Sequence, residues 1–255
     1  MAQESLWWRG LPDPISNREA MKTSHCLSFN FDHQALLTEY NTLTIEFQKH
    51  FNTGFYEGEW SGFALRKPSN ALHDLFAGNN QSDNYVDTSL SEKLPETNKV
   101  LNFFPCEKTS VRILKLTPGS VIKPHSDEGL NYFDGFVRLH IPIQTNPNIE
   151  FIVAGKKLVM KEGECWFADF NQTHSVCNKG ENERLHLVID LKVNDWLKEL
   201  FLKEGIVEEG EMAPDPMDTY PLEVKKEIVQ QLLEHKNPES EKVAMEIMKK
   251  YSFEV

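Results

Sequence analysis

The chain has only four cysteines, Cys26, Cys106, Cys165 and Cys177, and no two of them form a C-x-x-C pair. Their spacing offers no zinc knuckle, and the expectation is reduced, semi-buried thiols in a cytosolic protein. Long apolar runs are missing as well: none reaches the roughly 18 residues that cross a bilayer. The segment from Met1 to Arg9 has no basic start followed by an apolar core. No secretory signal is expected there, and the expected address is the cytoplasm. Positive charge is scarce, with 27 Lys and Arg against 39 Asp and Glu, a net charge of −12. Such a surface repels phosphate backbones and anionic membranes, so neither nucleic acid nor membrane is an expected partner. Internal repeats and low-complexity tracts are absent. What is abundant is aromatic: 16 Phe and 5 Trp in 255 residues argue for a well-filled interior and an aromatic pocket. The length suffices for one large domain, or one domain and an appendage.

The hydrophobic period divides the chain. Residues 1–30, with Pro12 and Pro14, read as irregular. From Asp32, a plausible N-cap, apolar residues recur at helical spacing to about residue 50. Residues 59–66 read as a short strand and 78–96, polar and rich in Asn, Asp and Ser, as a loop long enough to act as a lid. From 111 to 193 the pattern becomes short β-rich runs separated by turns such as Pro118-Gly119, Gly155-Lys156 and Glu162-Gly163. Seven or eight strands at that spacing predict a mainly β fold, an antiparallel jelly roll. Beyond Asn194 a helix is expected over 195–204, then an acidic, proline-containing linker at 208–216. Two amphipathic helices follow, over 222–235 and 239–251. The expected organisation is a β domain over 1–193 with an N-terminal helical and irregular lead-in, and a helical region over 194–255.

Within the β region, His125-Ser126-Asp127 is followed about fifty residues later by His174 and then by Arg184. Two imidazoles and a carboxylate can occupy one face of an octahedral Fe(II), leaving positions open for a cosubstrate and dioxygen. On an extended strand His125 and Asp127 would point the same way, and His174 would arrive from a facing strand. Arg184 alternates with Leu185, Leu187 and Ile189, so it faces the other side of its strand, with His186, Val188 and Asp190. An arginine inside a barrel needs an anion, and the far carboxylate of 2-oxoglutarate would serve. Arg138 and His140 share a face in the same way and are candidates to bind the cosubstrate or an acidic group.

Three runs carry a resemblance: Pro118–Asp127, Val137–Pro142 and Gly163–Val176, which occur in order and with suitable gaps. They resemble the aspartyl/asparaginyl β-hydroxylase family of Fe(II)/2-oxoglutarate dioxygenases. The resemblance covers about residues 95–193. It implies a double-stranded β-helix core with flanking helices, and His125 and His174 as iron ligands. It also implies Arg138, His140 and Arg184 as oxoglutarate contacts, with dioxygen as the oxidant. The animal members carry glycine where this chain has Asp127; the complete triad, and the helical C-terminal region, resemble the bacterial proline 3-hydroxylase branch.

The implied activity is hydroxylation of an unactivated C–H bond of a free amino acid or small peptide-like substrate, with oxidative decarboxylation of oxoglutarate to succinate. Trp166, Phe136, Tyr132 and Asn131 are the candidates for the substrate pocket. Two other readings stand beside this one. A cupin-like metalloprotein without oxygenase activity is one, although cupins favour His-x-His over His-Ser-Asp. A docking or dimerisation role for the C-terminal helices is the other. Neither the substrate nor the oligomeric state is legible in the sequence.

Overall fold

The computed structural model describes residues 21–45, 47–78, 84–208, 217, 220–235 and 237–254. The chain divides into two compact units, Met1–Ala213 and Pro214–Val255. In the first unit the elements run β1 (Ser24–Asn30), α1 (His33–Thr42), β2 (Gln48–Lys49), β3 (Tyr56–Glu57), β4 (Trp60–Pro68), β5 (Tyr85–Asp87) and α2 (Pro95–Phe103). They continue with β6 (Lys108–Leu116), β7 (Val121–His125), β8 (Phe136–Gln144), β9 (Ile149–Val153), β10 (Lys156–Leu158), β11 (Glu164–Ala168), β12 (His174–Asn178), β13 (Arg184–Lys192) and α3 (Asp195–Lys203). The second unit consists of α4 (Leu222–Glu234) and α5 (Pro238–Tyr251), which pack on one another.

The strands form two antiparallel sheets. The larger, eight-stranded sheet runs β1-β11-β8-β13-β6-β4-β2, with β5 added to β4, and the five-stranded sheet runs β10-β9-β12-β7-β3. Sequence neighbours therefore alternate between sheets, as β6, β7, β8 and β9 do, which is the wiring of a double-stranded β-helix. The expected fold class is thus the one observed.

Alternation along the strands builds two cores. Leu139 and Ile141 of β8 and Leu187 and Ile189 of β13 join Val100 of α2 and Leu197 and Phe201 of α3 in one cluster. Val188 of β13 and Leu114 and Leu116 of β6 join Ile122 of β7, Phe151 and Val153 of β9 and Val176 of β12 in the other, which draws on both sheets. Strand β13 is consequently buried on both faces, from Arg184 through Leu191. Helix α3, which the sequence grouped with the C-terminal helices, packs Leu197 and Phe201 fully buried into the first unit.

Several local expectations change. Residues 24–30, expected to be irregular, form β1 against β11; residues 1–20 lie outside the described set. The helix begins as expected at the Asp32 cap, whose Oδ1 accepts from Ala35 N at 3.0 Å. It stops at Thr42, because Leu43 turns extended and 48–49 join the sheet beside β4. The expected loop over 78–96 contains β5 and the start of α2, whose first-turn amides of Glu96 and Thr97 are capped by the Glu39 carboxylate. Residues 79–83 of that loop and 209–216 of the acidic linker lie outside the described residues. Among the described residues no helix is long and apolar enough to cross a membrane.

Candidate metal centre

Pairing of β12 with β7 sets His174 directly opposite His125, and the ring centroids lie 4.1 Å apart. Each imidazole is oriented by its own backbone. His125 Nδ1 lies 2.7 Å from the Lys123 carbonyl and His174 Nδ1 lies 3.0 Å from that of Gln172. A carbonyl only accepts, so each Nδ1 carries the proton and each Nε2 keeps a free lone pair, the tautomer a metal requires. Strand β7 ends at His125, so Asp127 is not placed by strand alternation as expected. It sits in the following turn, fixed by its amide donating to Phe170 O at 2.9 Å. Its Oδ1 is 3.9 Å from His125 Nε2, and the ligand atoms of His125, Asp127 and His174 all lie within 4.8 Å of one another. Two nitrogens and a carboxylate oxygen gathered on one side of a cavity fit the facial set that holds non-haem Fe(II).

The charges suit that task. Burial pushes His174 down to about 4, so its imidazole is neutral at physiological pH. For Asp127, burial works to raise the pKa, but the Arg138 guanidinium and the two histidines outweigh it and keep the carboxyl below its ordinary range.

Arg138 is the hub of a row of alternating charge. Its Nη1 donates to Asp127, and its Nε and Nη2 donate to the two oxygens of Asp190 at 2.6 and 2.9 Å. Asp190 also accepts from Arg112 Nη2 at 3.3 Å. The register explains the row: Arg138 faces Asp190 across β8 and β13, and Arg112 lies opposite Val188, two residues away on β13. Arg138, expected at the oxoglutarate, thus has three nitrogens committed to carboxylates, one of them in the candidate triad.

Arg184 lies at the other end of β13. It is 2% exposed, its guanidinium lies 5.1 Å over the Phe151 ring, and its Nη2 donates to His186 Nδ1 at 3.0 Å. No carboxylate among the described residues pairs with it, and its Nε has no partner. Burial lowers it to about 9, so it stays charged at neutral pH. His140 approaches the same His186 Nδ1 at 3.3 Å, and burial holds both histidines neutral, far below their ordinary range.

The cavity that unites these groups has a volume of about 330 Å³. The triad, Arg138, His140 and Arg184, the residues that the sequence singled out for metal and cosubstrate, all line it. Trp166, Phe136, Tyr132 and Asn131 do not. Tyr132 stacks on Phe201 of α3 at 5.1 Å, and Asn131 caps a 3-10 turn by accepting from Phe133 N at 2.8 Å. Phe136 is buried in the second core, and Trp166 turns its Nε1 to Glu164 at 2.8 Å on β11, a strand further out than β8. Their places in the wall are taken by Phe51, Phe55, Trp60, Leu75 and Phe76, with His50 and Arg112. Arg112 interrupts a face that it shares with Leu114 and Leu116 in the strand-like run Val111–Leu116, a signal that could have marked it; the other six lie outside the β-rich region where the motifs cluster.

Comparison with known proteins gives three findings. A family model described as aspartyl/asparaginyl beta-hydroxylase matches residues 30–193. An L-proline cis-4-hydroxylase of Rhizobium meliloti (strain 1021) is 29% identical over 218 residues, covering 84% of this chain and 74% of that protein. Among solved structures, the non-heme alpha ketoglutarate dependent epimerase SnoN from nogalamycin biosynthesis is 12% identical with a TM-score of 0.45, covering 70% of this chain and 83% of its own. A 2OG-Fe(II) oxygenase family oxidoreductase from Burkholderia pseudomallei is 16% identical with a TM-score of 0.43, covering 63% and 79%.

Proposed function

The chain belongs to the aspartyl/asparaginyl β-hydroxylase family and is a 2-oxoglutarate-dependent hydroxylase, and on that premise we propose that it hydroxylates an unactivated C–H bond of a free amino acid of the proline type. Fe(II) would be held by His125 Nε2, His174 Nε2 and Asp127. Bound there with oxoglutarate, it supplies the oxidation, in which dioxygen is consumed, oxoglutarate becomes succinate and carbon dioxide, and the substrate gains a hydroxyl. The alternative of a cupin-like protein without oxygenase activity is set aside by the family match.

The residues of the chain divide the remaining work. Arg184 receives the distal carboxylate of oxoglutarate at the deep end of the cavity, beside His140. That assignment rests on the observation that carries the proposal: a buried guanidinium with no carboxylate partner among the described residues, in the cavity that the candidate metal triad also lines. An unpaired buried charge costs several kcal/mol, and an anionic ligand relieves it. Arg138 acts through Asp127, holding the carboxylate ionised and aimed.

Arg112 supports the proposed substrate class. Arg184 pairs with Leu116 and Val188 with Arg112, so the two arginines stand four residues apart along the strands, about 13 Å. Their guanidinia point to different partners, Arg112 to Asp190 and the Leu75 carbonyl and Arg184 to His186. One oxoglutarate cannot serve both. Arg112 shares Asp190 with Arg138 and is left for a second anion, the carboxylate of the substrate. Phe51, Phe55 and Phe76 supply an apolar wall around it. The relative from Rhizobium meliloti, named for action on L-proline, supports the same class.

The test is a screen of free amino acids and short peptides with Fe(II), oxoglutarate and ascorbate, read by succinate formation and by the mass gain of one oxygen atom. Free proline or a close analogue is expected to gain the oxygen, and Asp127→Ala to abolish both signals. A chain that binds Fe(II) but no oxoglutarate would overturn the proposal.

A further inference from the structure

His50 lines the cavity together with Arg112 and Asp127, and all but one of its polar atoms are accounted for. Its backbone N–H donates to Trp60 O at 2.8 Å, and its carbonyl accepts from Tyr56 Oη at 3.2 Å. The ring lies flat on the Trp60 indole, with centroids 3.6 Å apart and planes at 11°, and Phe51 stacks at 4.6 Å. Its Nδ1 takes the Asn52 amide at 3.4 Å. A backbone amide only donates, so Nδ1 carries the lone pair and the proton resides on Nε2. Burial, followed by the nearby Arg112 charge, pushes the imidazole down to about 3, so it remains neutral. The Nε2–H is a fixed neutral donor with no partner among the described residues.

We propose that His50 is a specificity-determining, substrate-binding residue whose Nε2–H donates to the carboxylate paired with Arg112, so that the two together select substrates with a free carboxylate. The proposal rests on the hydroxylase reading above and extends it to a residue outside the recognised motifs. A neutral imidazole can stand beside a guanidinium where a protonated one would be repelled. With Arg112 on one oxygen and His50 on the other, both partners are donors. A carboxamide would turn its own NH2 toward one of them, leaving donor against donor, which is an effective way to reject a near-isostere.

The test uses the full chain with Fe(II) and oxoglutarate, and L-proline and L-prolinamide as probes. His50→Phe keeps a flat ring for Trp60 and removes the donor, whereas His50→Gln offers an amide N–H near the same place. The wild type is expected to prefer proline. His50→Phe should raise KM for proline about tenfold, the size of one lost hydrogen bond to a charged group, and narrow the preference over prolinamide, with KM for oxoglutarate nearly unchanged. His50→Gln should restore much of both. Nitrogen-15 NMR adds a readout independent of turnover: at neutral pH one imidazole signal of the Nε2–H form, missing in His50→Phe, should shift when proline is added. An unchanged proline KM and preference in His50→Phe, or a wild type that takes both probes equally or neither, overturns the proposal. Loss of oxoglutarate binding in the wild type would instead remove the hydroxylase reading beneath it.

Discussion

Asp127 has to stay ionised and correctly aimed while about a third of its side chain is exposed, and Arg138 secures both conditions from behind. Asp190 in turn holds Arg138, so Asp190→Asn should act at a distance on the metal. It would leave Arg112 and Arg138 sharing a neutral amide, a loss on the order of 3–5 kcal/mol. Urea denaturation should show that loss, and Fe(II) titration should show weaker binding. Arg112→Met is expected to raise KM for a carboxylate substrate at least tenfold, for a charged hydrogen bond worth about 1.5–3 kcal/mol, while oxoglutarate KM stays within about twofold; an equal rise in both constants would count against the division of labour between the two arginines. The buried histidines set a pH response. His140 and His186 are held neutral in the folded chain, whereas unfolded histidine protonates near pH 6.5. Their folded pKa values are lowered, so their contribution is complete above about pH 6.5 and is lost as pH falls below it, by up to about 1.4 kcal/mol per histidine per pH unit. Melting temperature should therefore fall between pH 7 and pH 5, and His186→Asn should make that slope shallower. The candidate triad was legible as two histidines and a carboxylate at a spacing that facing strands can close, and Arg184 because a charged residue in a β-rich run demands a partner. His50 carried no such mark. Only the approach of Trp60 makes it a cavity donor, and that contact depends on a strand pairing the local pattern does not encode.

At the level of elements, the candidate metal site is a consequence of one pairing. Antiparallel β7 and β12 bring residues forty-nine positions apart face to face (125 and 174), and the sequence could anticipate this once the number of strands had suggested a jelly roll. It could not anticipate that β7 would stop at His125, because the turn that presents Asp127 is held by a bond to Phe170, more than forty residues further along the chain. The four misplaced pocket candidates show the same limit. They are aromatic or polar residues near the motif in sequence, yet Tyr132 belongs to the interface with α3. Phe201 on that helix is fully buried against Tyr132 and Phe167, so Phe201→Ala should cost about 3–5 kcal/mol. Chemical denaturation measures it; a loss below about 1 kcal/mol would mean that α3 is not integral to the β domain.

For the whole molecule, the division after Ala213 leaves both hydrophobic clusters and every cavity-lining residue in the first unit. A chain ending at 213 should therefore stay folded and bind Fe(II) and oxoglutarate as the full chain does. Calorimetry and metal titration on the shortened chain check this, and loss of either property would assign α4 and α5 a structural part in the site. Ending the chain at 205 should be far more damaging, since Ile206 and Val207 are buried in the first core.

The burial of β13 on both faces also shapes how such a protein can change. From Arg184 through Leu191 no side chain is free to drift: one set is wedged under helices, the other serves the cavity. New substrate preferences are therefore expected to arise at the rim, where Phe51, Phe55 and Phe76 are each more than two-fifths exposed and a substitution meets water before it meets the core. A mutant library confined to those loops would sample specificity at little risk to the oxidative machinery. The same diversity spent on β13 would yield mainly unfolded chains.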